Sequence, residues 1–193
     1  MYQFQSEQWV PASIDRVFQF FANPENLPGI APAVQDVRIE QSHLVAPPRH
    51  PLGARVKGVA GIGSEIALSF RVGRVVRRRT QWRTRIVDFE WNRYFLETQV
   101  RGPMEFWTHR HGFAASERDG VDGTLIRDEI EYGFGGFGVT GEAAFIHRNL
   151  GRTFEYRKQA VEKLLPPERK SDLPPGIANQ LRKVGEQLRR LAK

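Results

Sequence analysis

Two histidines one residue apart, His109 and His111, are the side chains of this sequence most suited to chemistry. They follow a Gly-Pro turn in the stretch 102–113, which alternates like a strand, so both imidazoles project from one face about 6.5–7 Å apart. The other face carries Arg110, which is costly to bury unpaired, so we predict that the histidines point inward. Imidazole titrates near neutral pH and can serve as a general acid or base.

A carboxylate on the next predicted strand could orient one of these imidazoles. Residues 124–134 alternate, and their predicted inner face consists of Thr124, Ile126, Asp128, Ile130 and Tyr132. We therefore take His109, His111 and Asp128 as candidate catalytic residues. Because no nucleophile completes a triad, the favoured alternative is a hydrogen-bonded polar network that only contacts a ligand.

The same residues also suggest a metal site, in which His109 and His111 are joined by Glu97 or Asp128. Such a mixed nitrogen and oxygen set suits zinc or iron. A His-x-His pair is not specific by itself, however, and a metal needs a third ligand at short distance. We therefore expect no metal and no other cofactor.

The composition is that of one domain with an ample hydrophobic core. The chain has 193 residues, 13 of them Phe, and no Cys, which excludes disulfides and thiolate metal sites and suggests a reducing compartment. Residues 2–8 do not resemble a signal peptide, and no apolar run is long enough to span a membrane. We predict a cytoplasmic protein.

The positive charge is concentrated towards the C-terminus. The formal net charge is +7, and residues 166–193 carry seven basic side chains against three acidic ones. An arginine cluster at 77–79 is followed by Arg83 and Arg85, whose alternation is typical of a solvated strand face. Because the aromatic residues nearby are predicted to face inward, we expect no base-stacking platform and no nucleic acid partner.

The pattern of apolar residues predicts an α+β order. We expect strands at residues 2–10, 34–41, 64–71, 80–88, 94–101, 104–113 and 124–134. Two short helices, at 13–21 and around 25–27, follow the first strand, and one long helix covers 142–165. A sheet that is apolar on one face needs a cover. We therefore predict a curved antiparallel sheet of six to seven strands wrapped around the long C-terminal helix.

Short motifs spread over residues 3–165 occur in a characteristic order. They are residues 12–21 with Pro24 and Asn26-Leu27, 61–64, Trp82 with Ile86, 95–99, Gly102-Pro103, the Trp107-x-His109-x-His111-x-Phe113 motif, Gly123-Thr124 with Asp128 and Tyr132, and Phe154-x-Tyr156-Arg157. With these motifs the sequence resembles the helix-grip (SRPBCC) superfamily of START-like and birch-pollen-allergen-like proteins, and within it the bacterial polyketide cyclase/dehydrase and lipid-transport-like group. Met104 departs from the aromatic residue expected after Gly-Pro.

The resemblance implies a helix-grip ligand-binding domain at residues 1–166. The tail lies outside the resemblance, and its own pattern predicts a linker and a basic amphipathic terminal helix at 167–193. The narrow apolar stripe of that helix lacks Trp and Phe, so we expect it to dock on its own domain or on a second copy of the chain rather than on a membrane. The resemblance also implies that Phe95, Glu97 and Gln99 face the cavity. The apolar side chains of Leu96 and Val100 favour the other interpretation, in which their own face of the strand is the inner one.

Between the sheet and the helix we predict a cavity with apolar walls and a few polar groups. Its expected lining is Trp82, Thr84, Ile86, Glu97, Gln99, Trp107, His109, His111, Phe113, Ile126, Asp128, Ile130, Tyr132, Phe154 and Arg157. Arg157 could pair with Glu97 or Asp128 or bind an anionic ligand head, and the equally favoured alternative is that its charge only extends past the edge of the helix. The favoured function is binding of a small hydrophobic, aromatic or lipid-like molecule as a carrier or sensor. The alternative implied by the resemblance is a cofactor-independent polyketide cyclase/dehydrase that uses a pocket histidine as acid or base.

Overall fold

Seven strands form one antiparallel sheet in a computed structural model, which describes residues 1–51, 53, 56–71, 79–134 and 140–167. The strands are β1 (Tyr2–Val10), β2 (Arg38–His43), β3 (Glu65–Arg71), β4 (Arg79–Glu90), β5 (Tyr94–Arg101), β6 (Phe106–Arg118) and β7 (Val121–Gly133). Their order in the sheet is β1-β7-β6-β5-β4-β3-β2. The predicted α+β class and strand number are thus confirmed.

Helices cover the inner face of this sheet. Helix α1 (Ile14–Ala22) follows β1, and two short 3-10 helices (Pro24–Ile30 and Ala33–Gln35) come next. The long helix α2 (Thr140–Leu164) contacts β1 and the first 3-10 helix. In the part of the chain that the structure describes, no helix is both long and apolar enough to cross a bilayer. Residues 168–193, with the predicted terminal helix, and the arginines at 77 and 78 lie outside the described residues.

The hairpin of β6 and β7 sets the register of the candidate polar residues. Its turn consists of Asp119 and Gly120, which both have positive φ (53° and 76°), the combination found in type I′ turns. Gly adopts this conformation at no cost, and Asp tolerates it better than most residues. With a two-residue turn the register is fixed, and counting back along both strands places His111 opposite Asp128.

Replacing Gly120 with alanine is expected to lower the free energy of unfolding by about 1–2 kcal/mol, because a Cβ is unfavourable at positive φ. The space around Gly120 is open, so crowding adds nothing. The matched control is Gly151, an open position inside α2, where alanine is expected to add about 0.5–1 kcal/mol of stability. Urea denaturation measures both changes, and two shifts of the same sign would contradict this turn geometry.

Two hydrophobic clusters fix the helices to the sheet. One surrounds Phe18 of α1, whose ring makes edge contacts with the rings of Phe89 and Phe113 at centroid distances of 5.2 and 5.1 Å. The other joins α2 to β1, β6 and β7, and its buried members are Phe4, Trp107, Ile130, Tyr132 and Phe154. Aromatic residues therefore carry much of the contact between the layers, as their large apolar surface favours.

The second strand begins later than its alternation predicts. We expected a strand at 34–41, but Ala33–Gln35 form a 3-10 helix and β2 spans Arg38–His43. Asp36 has a left-handed conformation (φ 42°) between them, and its carboxylate binds Arg79 Nη1 at 2.7 Å. This polar contact, which an alternation pattern does not reveal, overrides the strand signal.

Candidate functional site

Four polar side chains from three adjacent strands meet on the inner face of the sheet. Glu97 in β5 lies opposite His109 in β6, and His111 in β6 lies opposite Asp128 in β7. His109, His111 and Asp128 are buried, and Glu97 is partly buried. The strand register therefore brings two carboxylates and two imidazoles into one cluster.

The two imidazoles lie between the two carboxylates. His109 Nε2 donates a hydrogen bond to Asp128 Oδ1 at 2.8 Å, and His111 Nδ1 lies 2.9 Å from the same oxygen without the alignment of a hydrogen bond. On the opposite side, Glu97 Oε1 is 3.4 Å from His109 Nδ1 and 3.8 Å from His111 Nε2. Each ring thus presents one nitrogen to each carboxylate.

Electrostatic contacts within the cluster favour its charged forms. Burial alone would raise the pKa of Asp128, but the two imidazoles outweigh it and hold that pKa well below its ordinary value. The pKa of Glu97 is lowered for the same reasons. Burial alone would lower the pKa of His111, but Asp128 and Glu97 raise it above its ordinary value. Both carboxylates are therefore ionised at neutral pH, and they stabilise the protonated form of His111 relative to that of a free imidazole.

Arg157 reaches the same cluster from α2. Its guanidinium lies over the ring of Phe154, 4.5 Å from the ring centroid, and its Nη1 is 3.9 Å from Asp128 Oδ1. Both Nε and Nη1 of Arg157 are buried and have no hydrogen-bond partner among the described residues. Buried donors are normally satisfied, so these two are available to an acceptor that enters the space beside them.

A cavity of about 1170 Å³ adjoins these side chains. It lies between the inner face of the sheet, α1 with the 3-10 helices, and α2, and most of its surface is apolar. Glu97, His109, His111 and Arg157 all contribute to its lining. The apolar walls include Phe21, Leu27, Ile66, Leu68, Trp82, Trp107, Ile130 and Phe154. The polar cluster is therefore accessible from a space that otherwise suits an apolar molecule.

Part of the cluster also has the composition of a metal site. Glu97, His109 and His111 each offer one ligand atom, and the three atoms lie within 4.8 Å of one another. A carboxylate with two imidazoles is a donor set used for zinc and for non-haem iron. Of the two carboxylates that the sequence offers as a third ligand, Glu97 belongs to this group, and the pairing of β5 with β6 brings it beside both histidines.

Solved structures of other proteins share this architecture. A START superfamily protein from Mycobacterium smegmatis matches with a TM-score of 0.57 and 16% identity, over 86% of this chain and 97% of that chain. Ginseng major latex-like protein 151 from Panax ginseng matches with a TM-score of 0.57 and 13% identity, over 86% and 98%. Norcoclaurine synthase from Thalictrum flavum matches with a TM-score of 0.54 and 15% identity, over 87% and 88%. The chain has the helix-grip fold.

At these identities the likeness shows the helix-grip fold and no more. In that respect it confirms the resemblance to START-like proteins that the sequence motifs indicate. No model of a protein family matches the sequence, and no curated protein is significantly similar to it. What the helix-grip cavity of this chain binds must therefore be argued from its own residues.

Ten of the predicted site residues line the helix-grip cavity. They are Trp82, Thr84, Ile86, Glu97, Trp107, His109, His111, Ile130, Phe154 and Arg157. On β5 the inward residues are Phe95 and Glu97, as the resemblance implies, while Val100 is exposed. Phe95 stacks on His111 with a centroid distance of 4.3 Å, which places the aromatic ring directly beside the polar cluster.

Three predicted lining residues belong to the packed core instead. Phe113 and Ile126 are part of the cluster around α1, and Tyr132 packs against Trp107 with a centroid distance of 5.9 Å. All three share the inner face with the histidines, as alternation predicts. They lie outside the cavity because α1 covers one end of that face and α2 contacts the other, which leaves only the middle of the sheet open.

Two polar residues also lie outside the lining. Asp128 is buried and contacts the lining side chains His109, His111 and Arg157 without lining the cavity itself. The side-chain amide of Gln99 donates a hydrogen bond to the backbone carbonyl oxygen of Met104 at 2.7 Å. Gln99 therefore holds the connection between β5 and β6 rather than contacting a ligand.

The sequence analysis missed lining residues on β3 and on the first helices. Ile66, Leu68 and Phe70 all line the cavity, and their spacing in the strand predicted at 64–71 was a signal that could have identified them. Phe21 and Leu27 come from α1 and the first 3-10 helix. Elements this short offer no periodic pattern that would show which side borders a cavity.

Proposed function

We propose that the protein binds a small hydrophobic ligand in this cavity, as a carrier or sensor. The observation that supports the proposal best is the cavity itself, which has about 1170 Å³ of space and mainly apolar walls. Ligand sites typically offer about 300–1,000 Å³, so a lipid-like or multi-ring molecule fits. Burial of such a molecule is favourable at roughly 25 cal/mol for each Å² of apolar surface removed from water.

Hydrogen-bond donors in the cavity wall indicate how such a ligand would be oriented. Arg157 has two buried donors without a partner among the described residues, and Trp82 Nε1 is a third donor in the same state. All three belong to cavity-lining side chains. A ligand with an acidic or other acceptor group at one end would satisfy donors that the protein leaves open, at about 1.5–3 kcal/mol for each bond to a charged group.

The proposal is tested by placing the same charge inside and outside the cavity. Leu68→Glu puts a carboxylate on the apolar wall and is expected to weaken binding of the neutral fluorescent probe N-phenyl-1-naphthylamine by about 5- to 150-fold, from the cost of about 1–3 kcal/mol for an unsatisfied polar group. Val100→Glu, on an exposed position of β5, is the control and should bind the probe like the unchanged protein. Equal affinities of the two variants, both folded by circular dichroism, would contradict binding in the cavity.

A second candidate is the cofactor-independent polyketide cyclase/dehydrase. It is favoured by the position of His109 and His111, which line the cavity while Asp128 and Glu97 flank both rings. Norcoclaurine synthase, solved in complex with dopamine and hydroxybenzaldehyde, shows that an enzyme can have this fold. In such a reaction one histidine would remove a proton from an acidic carbon of the poly-keto chain, and a protonated one would donate to the developing enolate oxygen.

Separate His109→Gln and His111→Gln variants distinguish the two functions. A carrier is expected to keep most of its affinity for N-phenyl-1-naphthylamine in both variants, whereas a cyclase is expected to lose about 10²–10⁴-fold in the cyclisation rate of a poly-keto thioester. His43→Gln, an exposed histidine of β2, is the control for the loss of an imidazole elsewhere. If no poly-keto substrate is cyclised by the unchanged protein, the enzyme candidate is rejected.

A further inference from the structure

We infer that Glu97, His109 and His111 form a binding site for a divalent transition-metal ion such as zinc. The site would lie at the polar side of the cavity, with the three side chains as ligands and Asp128 behind them. This inference is independent of the hydrophobic ligand proposed above, because the apolar walls and the three ligand side chains are different residues.

The distances between the ligand atoms fit one ion. Glu97 Oε1 lies 3.4 Å from His109 Nδ1 and 3.8 Å from His111 Nε2. Adjacent ligands of a tetrahedral zinc ion, with bonds of about 2.0–2.2 Å, are separated by about 3.3–3.6 Å. A direct hydrogen bond would instead bring these atoms to about 2.7–3.2 Å. Both separations exceed that of a hydrogen bond and lie close to the tetrahedral spacing. The three ligand atoms all fall within 4.8 Å of one another, so small adjustments of the side chains would bring them around one ion.

Asp128 occupies the position that a supporting carboxylate takes in metal sites. Its Oδ1 contacts Nε2 of His109 and Nδ1 of His111, which are the ring nitrogens turned away from Glu97. The hydrogen bond from His109 Nε2 to Asp128 leaves a lone pair on Nδ1 of that ring, and a proton on His111 Nδ1, which faces the same oxygen at 2.9 Å, leaves one on Nε2. One buried carboxylate thus orients both imidazoles so that their free nitrogens converge with the Glu97 oxygen.

The charges and the access of the site are consistent with a cation. Two acidic side chains, Glu97 and Asp128, flank two imidazoles that bind a metal in their neutral form. Arg157, the one guanidinium recorded near the cluster within the described residues, is 3.9 Å from Asp128 rather than beside Glu97. All three ligand side chains line the cavity, so a coordination position stays open towards it. Three protein ligands with an open position are typical of catalytic rather than structural zinc sites.

The test uses the full chain, stripped of metal with a chelator and then titrated with Zn²⁺ by isothermal calorimetry. We expect saturable binding of one ion per chain with micromolar or tighter affinity. Glu97→Gln, which keeps the shape of the side chain, and His111→Ala should each abolish this binding. Asp128→Asn, which changes a positioning residue, should weaken it by about 10–100-fold. Co²⁺ in place of Zn²⁺ should give the visible absorption of a four-coordinate ion in the unchanged protein and not in Glu97→Gln or His111→Ala.

The controls separate this site from adventitious binding and from the proposed function. His43→Ala and His147→Ala remove exposed histidines and should leave zinc binding unchanged. If the unchanged protein binds no zinc, or if Glu97→Gln and His111→Ala bind it as tightly as the unchanged protein, the site does not exist. Probe binding by the metal-free protein is measured in parallel. If the unchanged protein binds the probe but no zinc, only the metal site is overturned. If it binds zinc but not the probe, only the ligand proposal is overturned.

Discussion

Replacing Asp128 with alanine is expected to lower the free energy of unfolding by about 3–5 kcal/mol. Asp128 is buried and contacts both His109 and His111 through one oxygen. Its removal leaves His111, whose protonated form it stabilises, buried without its closest carboxylate. Breaking a buried charged pair from one side costs more than the pair itself contributes, because the remaining group stays desolvated.

The matched control is its neighbour on the same strand. Glu129 is exposed and forms a 3.6 Å ion pair with Arg110, so Glu129→Ala is expected to cost about 0–1 kcal/mol. In a chain of this size, the difference of about 2–5 kcal/mol corresponds to a midpoint of thermal unfolding that is lower by about 4–20 °C for Asp128→Ala. Thermal and urea unfolding in metal-free buffer measure both variants, and an Asp128→Ala cost as small as that of Glu129→Ala would contradict the buried cluster.

The effect of Asp128 should also depend on pH in metal-free buffer. Its pKa is lowered by folding, so it stabilises the protein above its unfolded pKa of about 3.8, and this contribution is lost as the pH falls through the lower folded value. The pKa of His111 is raised, so its contribution is complete below about 6.5 and is lost as the pH rises through the higher folded value. The difference between the unchanged protein and Asp128→Asn is therefore expected to be largest between these limits and to shrink at alkaline pH.

Replacing Arg157 with methionine is expected to weaken binding of a long-chain carboxylate by about 10- to 150-fold. The reason is the loss of the two unsatisfied donors, Nε and Nη1, at about 1.5–3 kcal/mol for a bond to a charged group. The same change should leave the stability of the ligand-free protein unchanged or higher. Two buried guanidinium donors without a partner among the described residues are costly, and an apolar side chain of similar length is expected to pack in their place.

Weaker carboxylate binding together with unchanged or higher stability would distinguish a ligand-binding residue from a structural one. Dodecanoate and dodecanol are compared as competitors of N-phenyl-1-naphthylamine, and only dodecanoate should lose affinity in Arg157→Met. Arg148→Met, an exposed arginine on the same helix, should leave both affinities unchanged. If Arg157→Met loses stability and binds both competitors normally, Arg157 supports the fold and does not bind the ligand carboxylate.

The sequence predicts the polar cluster because its register is local. Alternation places His109 and His111 on one face, and the Asp-Gly turn lies midway between His111 and Asp128, so hairpin pairing alone brings these two together. Glu97 could not be assigned from its own strand, where Leu96 and Val100 compete for the inner face. Its position is decided by the pairing with His109 and by the stacking of Phe95 on His111, which are both contacts between strands.

The boundary between cavity and core could not be predicted from alternation. Phe113 and Ile130 belong to one predicted inner face, yet Phe113 is packed against Phe18 of α1 while Ile130 lines the cavity. Which of them meets open space depends on where the helices lie across the curved sheet. That arrangement follows from the whole set of packing contacts, and neither the period of a strand nor the type of a residue encodes it.

The pairing of β1 with β7 has a consequence for how the chain acquires its cavity during synthesis. Within the described sheet, each other neighbouring pair joins strands that are consecutive in the chain and can close as a hairpin while synthesis continues. Tyr2, by contrast, pairs with Tyr132, so β1, which is synthesised first, can pair only after β7 has been synthesised. The hairpin with His111 and Asp128 then exists before Phe4 and Phe154, whose rings are 5.0 Å apart, join β1 to α2. A nascent chain paused before α2 would expose the apolar inner face around a finished polar cluster, the stage most open to aggregation or to capture by a chaperone.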